Sequence, residues 1–133
     1  MDRLFSRMLA AVLAVFIVFS TAFAGDLPVS GALKGAQAHQ LLDEYSSGGL
    51  TLVDVRSPDE FNSGHAPGAI NIPLDQLGQR LAEVPEGPVL LVCRSGRRAQ
   101  SAYKMLVRSG RSTDDLWYLA GSTDYSGEKP RFR

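Results

Sequence analysis

Short, nearly continuous apolar runs alternate along this chain with stretches whose apolar side chains recur at helical spacing. Leu50-Thr51-Leu52-Val53-Asp54-Val55 and Val89-Leu90-Leu91-Val92 are β-branched or Leu-rich and scarcely alternate. Such runs suit strands of a sheet covered on both faces. Ala69-Ile70-Asn71-Ile72 and Leu116-Trp117-Tyr118-Leu119 are weaker strand signals, and Val29 to Leu33 reads as an edge strand. Between them, Ala38, Leu41, Leu42 and Tyr45 form one stripe on a helix from about Ala36 to Tyr45, closed by Ser46-Ser47-Gly48-Gly49. Leu74, Leu77, Leu81 and Val84 predict a second helix; Ala99, Ala102, Tyr103, Leu106 and Val107 predict a third, ended by Gly110. Ser57-Pro58-Asp59-Glu60 is a capping box with proline at the first helical position, so a short helix opens just after the Asp54 strand. Strands alternating with helices imply an α/β domain with a parallel sheet and right-handed crossovers.

The N-terminus stands apart from this pattern. Arg3 and Arg7 precede the apolar run Met8 to Phe19, and Ala22-Phe23-Ala24 is a small-x-small cleavage site. Residues 1–24 therefore read as a cleavable signal peptide, leaving a domain over 25–133 and a periplasmic location without stable membrane association. The competing reading is an uncleaved anchor, because Ser20 to Ala24 extends the apolar run toward the lower limit for spanning a bilayer.

The chain has 133 residues, a formal net charge of zero and one cysteine. One domain of this size can bury a core without staples, and a lone thiol cannot form an internal disulfide. The neutral balance argues against a general nucleic-acid or membrane-surface binder. Two isolated histidines and one cysteine make no metal set. His39 reads as a polar-face helix residue, and His65, in Gly64-His65-Ala66-Pro67-Gly68, as part of a turn.

Cys93 is the chemical focus. It sits where the run 89–92 stops and the loop Arg94-Ser95-Gly96-Arg97-Arg98 begins, just before a helix. Guanidinium groups and the free N–H groups of a helix start favour the charged form of a thiol and would also hold an anionic substrate. Asp54 is the anomaly of its own strand. A carboxylate in a buried run needs a partner, either Arg56 or an arginine of the Cys93 loop.

These residues resemble a family. Leu52-Val53-Asp54-Val55-Arg56, Glu60-Phe61, the turn and strand from Gly64 to Pro73, and Cys93-Arg94-Ser95-Gly96-Arg97-Arg98 are similar to the successive signatures of single-domain rhodaneses, over about Leu33 to Gly121. With the export signal, the chain is most similar to the small periplasmic thiosulfate sulfurtransferases of that family. The resemblance implies a three-layer α/β domain whose five-stranded parallel sheet is flanked by helices, with no cofactor. It implies that Cys93 is the nucleophile and that Arg94, Ser95, Gly96, Arg97 and Arg98 bind the substrate through their N–H groups. Arg98 would close the loop onto the next helix, Gly96 would stand where a bulky side chain crowds the cradle, and Asp54 and Arg56 would be supports at the strand end. The implied partners are a small anionic sulfur donor such as thiosulfate and a thiophilic acceptor such as cyanide or a thiol.

The chain departs from the pattern at two places. Leu119-Ala120-Gly121-Ser122-Thr123-Asp124-Tyr125-Ser126 replaces a Gly-Gly and later tryptophan, putting a terminal helix in doubt, and Ala99 replaces a hydroxyl residue. Two other readings of the cysteine remain: a phosphatase or arsenate reductase, and a non-catalytic sulfur carrier or binding module. Arg98 closes a Cys-x4-Arg loop, one residue shorter than the Cys-x5-Arg loop of the phosphatases.

Overall fold

The computed structural model describes residues 27–133; the signal-peptide reading of 1–24 lies outside them. Among the described residues seven strands are present: β1 (Gly31–Leu33), β2 (Thr51–Asp54), β3 (Ile70–Asn71), β4 (Val89–Val92), β5 (Leu116–Leu119), β6 (Thr123–Asp124) and β7 (Arg131–Phe132). They alternate with α1 (Gly35–Glu44), α2 (Pro58–Asn62), α3 (Leu74–Leu77) and α4 (Arg97–Arg108). The first five strands form one parallel sheet in the order β1-β5-β4-β2-β3, and β6 and β7 pair antiparallel.

The continuous apolar runs have the cause assigned to them. Within β4, Val89 and Leu91 pack on one face with Val53, Leu77, Ala102 and Leu106, whereas Leu90 and Val92 pack on the other with Leu33, Ala38, Leu41 and Trp117. All four β4 residues are buried, because α4 and α3 cover one face and α1 with β7 covers the other. The result is three layers around a five-stranded parallel sheet.

Topology then locates the site. From β2 the chain moves outward to β3, and from β4 it moves the opposite way to β5. The carboxyl ends of the neighbouring strands β2 and β4 are therefore a switch point, where α/β sheets open a crevice. Asp54 is in register with Val92, and the Val55 N–H donates to the Val92 carbonyl at 3.0 Å, so the segments beginning at Val55 and Cys93 leave the sheet side by side.

One expectation is corrected, and the C-terminal segment takes the form that its departure from the family pattern left open. The stripe Leu74, Leu77, Leu81, Val84 is not one helix: α3 stops at Leu77, and a separate 3-10 turn covers Leu81–Glu83. Gly78 at the C-cap breaks the run, while the interrupted segment still buries Leu77 and Val84 against α4. Beyond Gly121 the chain forms the β6–β7 hairpin, whose Phe132 packs under α1.

His39 belongs to that contact: its Nε2 accepts from the Phe132 N–H at 3.3 Å, and the two rings lie 5.2 Å apart. His65 fits its turn reading. Its Nδ1–H donates to the Phe61 carbonyl at 2.7 Å, and its ring stacks 3.7 Å from that of Phe61.

Candidate active site

Cys93 follows the last residue of β4 and is 1% exposed. Its Sγ accepts from the backbone N–H of Gly96 at 3.1 Å and of Ala99 at 3.4 Å. The chain therefore curls back over its own thiol, and Gly96 makes the curl possible by adopting φ +88°, a left-handed conformation disfavoured for other residues. Among the described residues, the N–H groups of Arg94, Ser95, Arg97 and Arg98 have no acceptor. Six successive amides, 94 to 99, are thus withheld from the backbone ladder, and two of them point at Sγ. The later ones belong to the first turn of α4, a 12-residue helix whose dipole adds positive potential at its start. Such an arrangement can hold an anionic sulfur and the group that leaves it.

The loop side chains divide by function. Arg94, Ser95 and Arg97 are exposed. Arg98 turns away to Glu60, making hydrogen bonds at 2.7 and 2.9 Å to its two carboxylate oxygens. What Arg98 offers the loop is its backbone N–H, while its guanidinium fastens α4 to α2. Glu60 also accepts from the Ser57 N–H and hydroxyl, both at 3.0 Å, so the capping carboxylate serves two helices. The Arg98 hydrogen bond holds the Glu60 carboxyl down to about 2 against partial burial, with Ser57 assisting.

Gly96 is constrained from behind. A Cβ there would lie 2.9 Å from the Gly121 nitrogen and 3.0 Å from the Leu119 carbonyl oxygen. The expected crowding is real, but it is against the backbone leaving β5 and not within the hollow of the loop.

Asp54 finds its partner in Arg56. The fully buried carboxylate accepts from Arg56 Nε at 3.0 Å and Nη2 at 2.7 Å, and also from the Arg56 backbone N–H at 3.0 Å. Arg56 Nη2 further donates to the Gly64 carbonyl at 2.7 Å. Burial alone would lower the Arg56 pKa, but hydrogen bonding and attraction to Asp54 more than reverse this and raise it, so the guanidinium stays charged. Neither side chain touches Sγ; their reach to the loop runs through Tyr125.

Tyr125 is the residue that sequence reasoning passed over. Its ring lies 3.7 Å beneath the Arg56 guanidinium, and its hydroxyl donates to the Cys93 carbonyl at 3.1 Å. Just before it, the Thr123 N–H donates to the Arg94 carbonyl at 3.0 Å. Beside this contact a cleft of about 570 Å³ is lined by Arg56, Asp59, Glu60, Arg94, Thr123 and Tyr125, among others.

Comparison with known proteins places this arrangement. The sequence matches the family described as Rhodanese-like domain over residues 37–125. It is 38% identical to an HTH-type transcriptional regulator of Mycobacterium tuberculosis over 91 residues, covering 62% of this chain and 40% of that protein. It is 29% identical to the thiosulfate sulfurtransferase GlpE of Shewanella oneidensis, covering 68% of this chain and 88% of that one. A rhodanese-like domain protein of Staphylococcus aureus superposes with a TM-score of 0.59 at 25% identity, covering 69% and 86% of the two chains. Among the curated relatives matched, the chain spans 40%, 46% and 34% of the length of three.

Proposed function

The chain belongs to the rhodanese-like family, and from that premise we propose that it is a sulfurtransferase carrying sulfane sulfur on Cys93. In the first half-reaction the Cys93 thiolate attacks the outer sulfur of thiosulfate. A new S–S bond forms, the bond to the sulfonyl sulfur breaks, and its electron pair departs with sulfite, leaving a Cys93 persulfide anion. In the second half-reaction cyanide, or a small thiolate, attacks the terminal sulfur, and the electron pair of the persulfide bond returns to Cys93. Charge balances in both steps, and no proton need move when the thiol enters as thiolate.

The observation that carries this reading is the set of six amides, 94 to 99, around one thiol. Donors fixed by the fold before substrate arrives can stabilise charge on sulfur and sulfite without reorganising. The likeness to a thiosulfate sulfurtransferase over most of that protein's length supports thiosulfate as the donor. The Cys-x4-Arg spacing supports sulfur over phosphate, because the shorter loop leaves room at the thiol for one added sulfur atom.

Intact-mass measurement after thiosulfate tests the proposal. Wild-type protein gains one sulfur, cyanide removes it, and Cys93→Ala shows neither change. A wild type that gains no sulfur from thiosulfate or an alkyl persulfide, or that releases phosphate from an aryl phosphate, overturns it. Export is part of the same proposal and rests on the charged start, apolar run and Ala22-Phe23-Ala24. The secreted form should begin at Gly25, and full-length protein in the membrane fraction would refute this.

A further inference from the structure

Two neighbouring carbonyls of the cysteine loop are held from outside by the same short segment. The Cys93 carbonyl accepts from the Tyr125 hydroxyl, and the Arg94 carbonyl accepts from the Thr123 N–H. All described peptide bonds are trans, so each C=O points opposite to the N–H that follows it in the same plane. Holding the Cys93 carbonyl toward the hairpin turns the Arg94 N–H away from it, and holding the Arg94 carbonyl there turns the Ser95 N–H away likewise. These are two of the amides without an acceptor among the described residues.

We propose that Tyr125 is a positioning residue for the sulfur-transfer site, orienting the Arg94 amide toward the anionic donor by holding the Cys93 carbonyl, while the Thr123 N–H next to it sets the Ser95 amide through the Arg94 carbonyl; this rests on the sulfur-transfer reading. Its own position is fixed from two directions. Arg56 lies over the ring, Asp54 holds Arg56, and the β6–β7 pairing anchors the segment. Burial and the nearby Asp54 carboxylate keep the phenol protonated, so it is a hydrogen-bond donor throughout the neutral range. Asp54 and Arg56 thereby acquire a role: they support the donor that sets the loop, though neither reaches the sulfur.

The role predicts which step suffers when the hydroxyl is lost. Sulfite carries the leaving charge in the first half-reaction, so misdirected amides should slow loading of the thiol. Discharge of the persulfide to cyanide has no sulfonate to hold and should be spared. Tyr125→Phe removes the hydroxyl and retains the ring over Arg56, and Tyr125→Leu removes both.

The test compares wild type and both variants in single-turnover loading from thiosulfate, loading from an alkyl persulfide, discharge of preloaded enzyme by cyanide, and thermal unfolding. For Tyr125→Phe, loading from thiosulfate should fall about tenfold, chiefly in its maximal rate, whereas the other two rates stay within about twofold. Equal losses with both donors, or in both half-reactions, would make Tyr125 merely structural and overturn the proposal. Unchanged thiosulfate loading in Tyr125→Phe would overturn it too. Should Tyr125→Leu fail to fold, the comparison in Tyr125→Phe decides alone. A wild type that loads from neither donor overturns the underlying sulfur-transfer reading, an outcome distinct from one in which wild type and Tyr125→Phe load equally.

Discussion

Glu60 and Arg98 meet in a two-point ion pair, 2.7 and 2.9 Å long, although 38 positions separate them in the chain. The pair ties the capping carboxylate of α2 to the second residue of α4, so the helix that opens at the cysteine loop is fastened to the helix that follows β2. Both side chains are about one-third exposed, which limits the stability gained. Glu60→Gln, which keeps an acceptor for Ser57 but loses the charge, should cost about 0.5 kcal/mol at neutral pH. The folded carboxyl titrates near 2, below its ordinary value of 4.5, so its contribution is complete above about pH 4.5 and fades as pH falls toward 2. Unfolding free energies of wild type and Glu60→Gln should therefore converge through that window, and a constant difference would contradict the assignment.

The buried pair Asp54–Arg56 should behave differently, since little solvent is available to accept a stranded charge. Asp54→Asn leaves Arg56, a residue only 5% exposed, with its countercharge gone, and should cost about 3 kcal/mol. The double variant Asp54→Asn, Arg56→Met removes both charges and should be less destabilised than Asp54→Asn alone. Denaturant unfolding of wild type, Asp54→Asn, Arg56→Met and the double variant measures this, and simple addition of the two single effects would refute the coupling.

Gly96 should tolerate no larger residue, for reasons that lie behind the loop. Gly96→Ala meets φ +88° and a contact of 2.9 Å with backbone nitrogen, neither of which a side-chain rotation relieves. We expect about 2 kcal/mol of lost stability, read as a lowered Tm, together with lost sulfur uptake. A variant with wild-type Tm and impaired uptake would instead place the crowding in the hollow itself.

How far the sequence discloses this molecule depends on how local each signal is. Strands β4 and β5 begin and end where their apolar runs do, and the Ser57–Glu60 capping box marks α2 to the residue, because both signals are written in adjacent positions. Cys93 and its loop are legible for the same reason. The β6–β7 hairpin is not: strands of two residues carry no periodicity, and Phe132 is buried only because α1 happens to lie above it. Tyr125 escapes notice because its contact with Cys93 crosses 32 positions, and an isolated tyrosine after Asp124 looks like any loop residue. Asp54 announces itself as a buried carboxylate and leaves the choice of partner to the strand register.

Arg94 separates the two ways in which this site could attract a sulfur anion. Its guanidinium is exposed and lines the cleft without a protein partner among the described residues, whereas the amides of 94 to 99 are fixed by the backbone. A solvent-exposed charge acts over a distance set by screening, about 30 Å at 0.01 M salt and about 8 Å at 0.15 M, while hydrogen bonds at contact are nearly indifferent to salt. Arg94→Gln should therefore raise the KM for thiosulfate about threefold at low ionic strength, and the difference from wild type should vanish as salt is raised. Because the backbone N–H of residue 94 survives the substitution, the maximal rate of loading should be unchanged. A salt-independent loss, or a fall in that maximal rate, would mean that the Arg94 guanidinium touches the reacting anion and that the amides alone do not form the cradle.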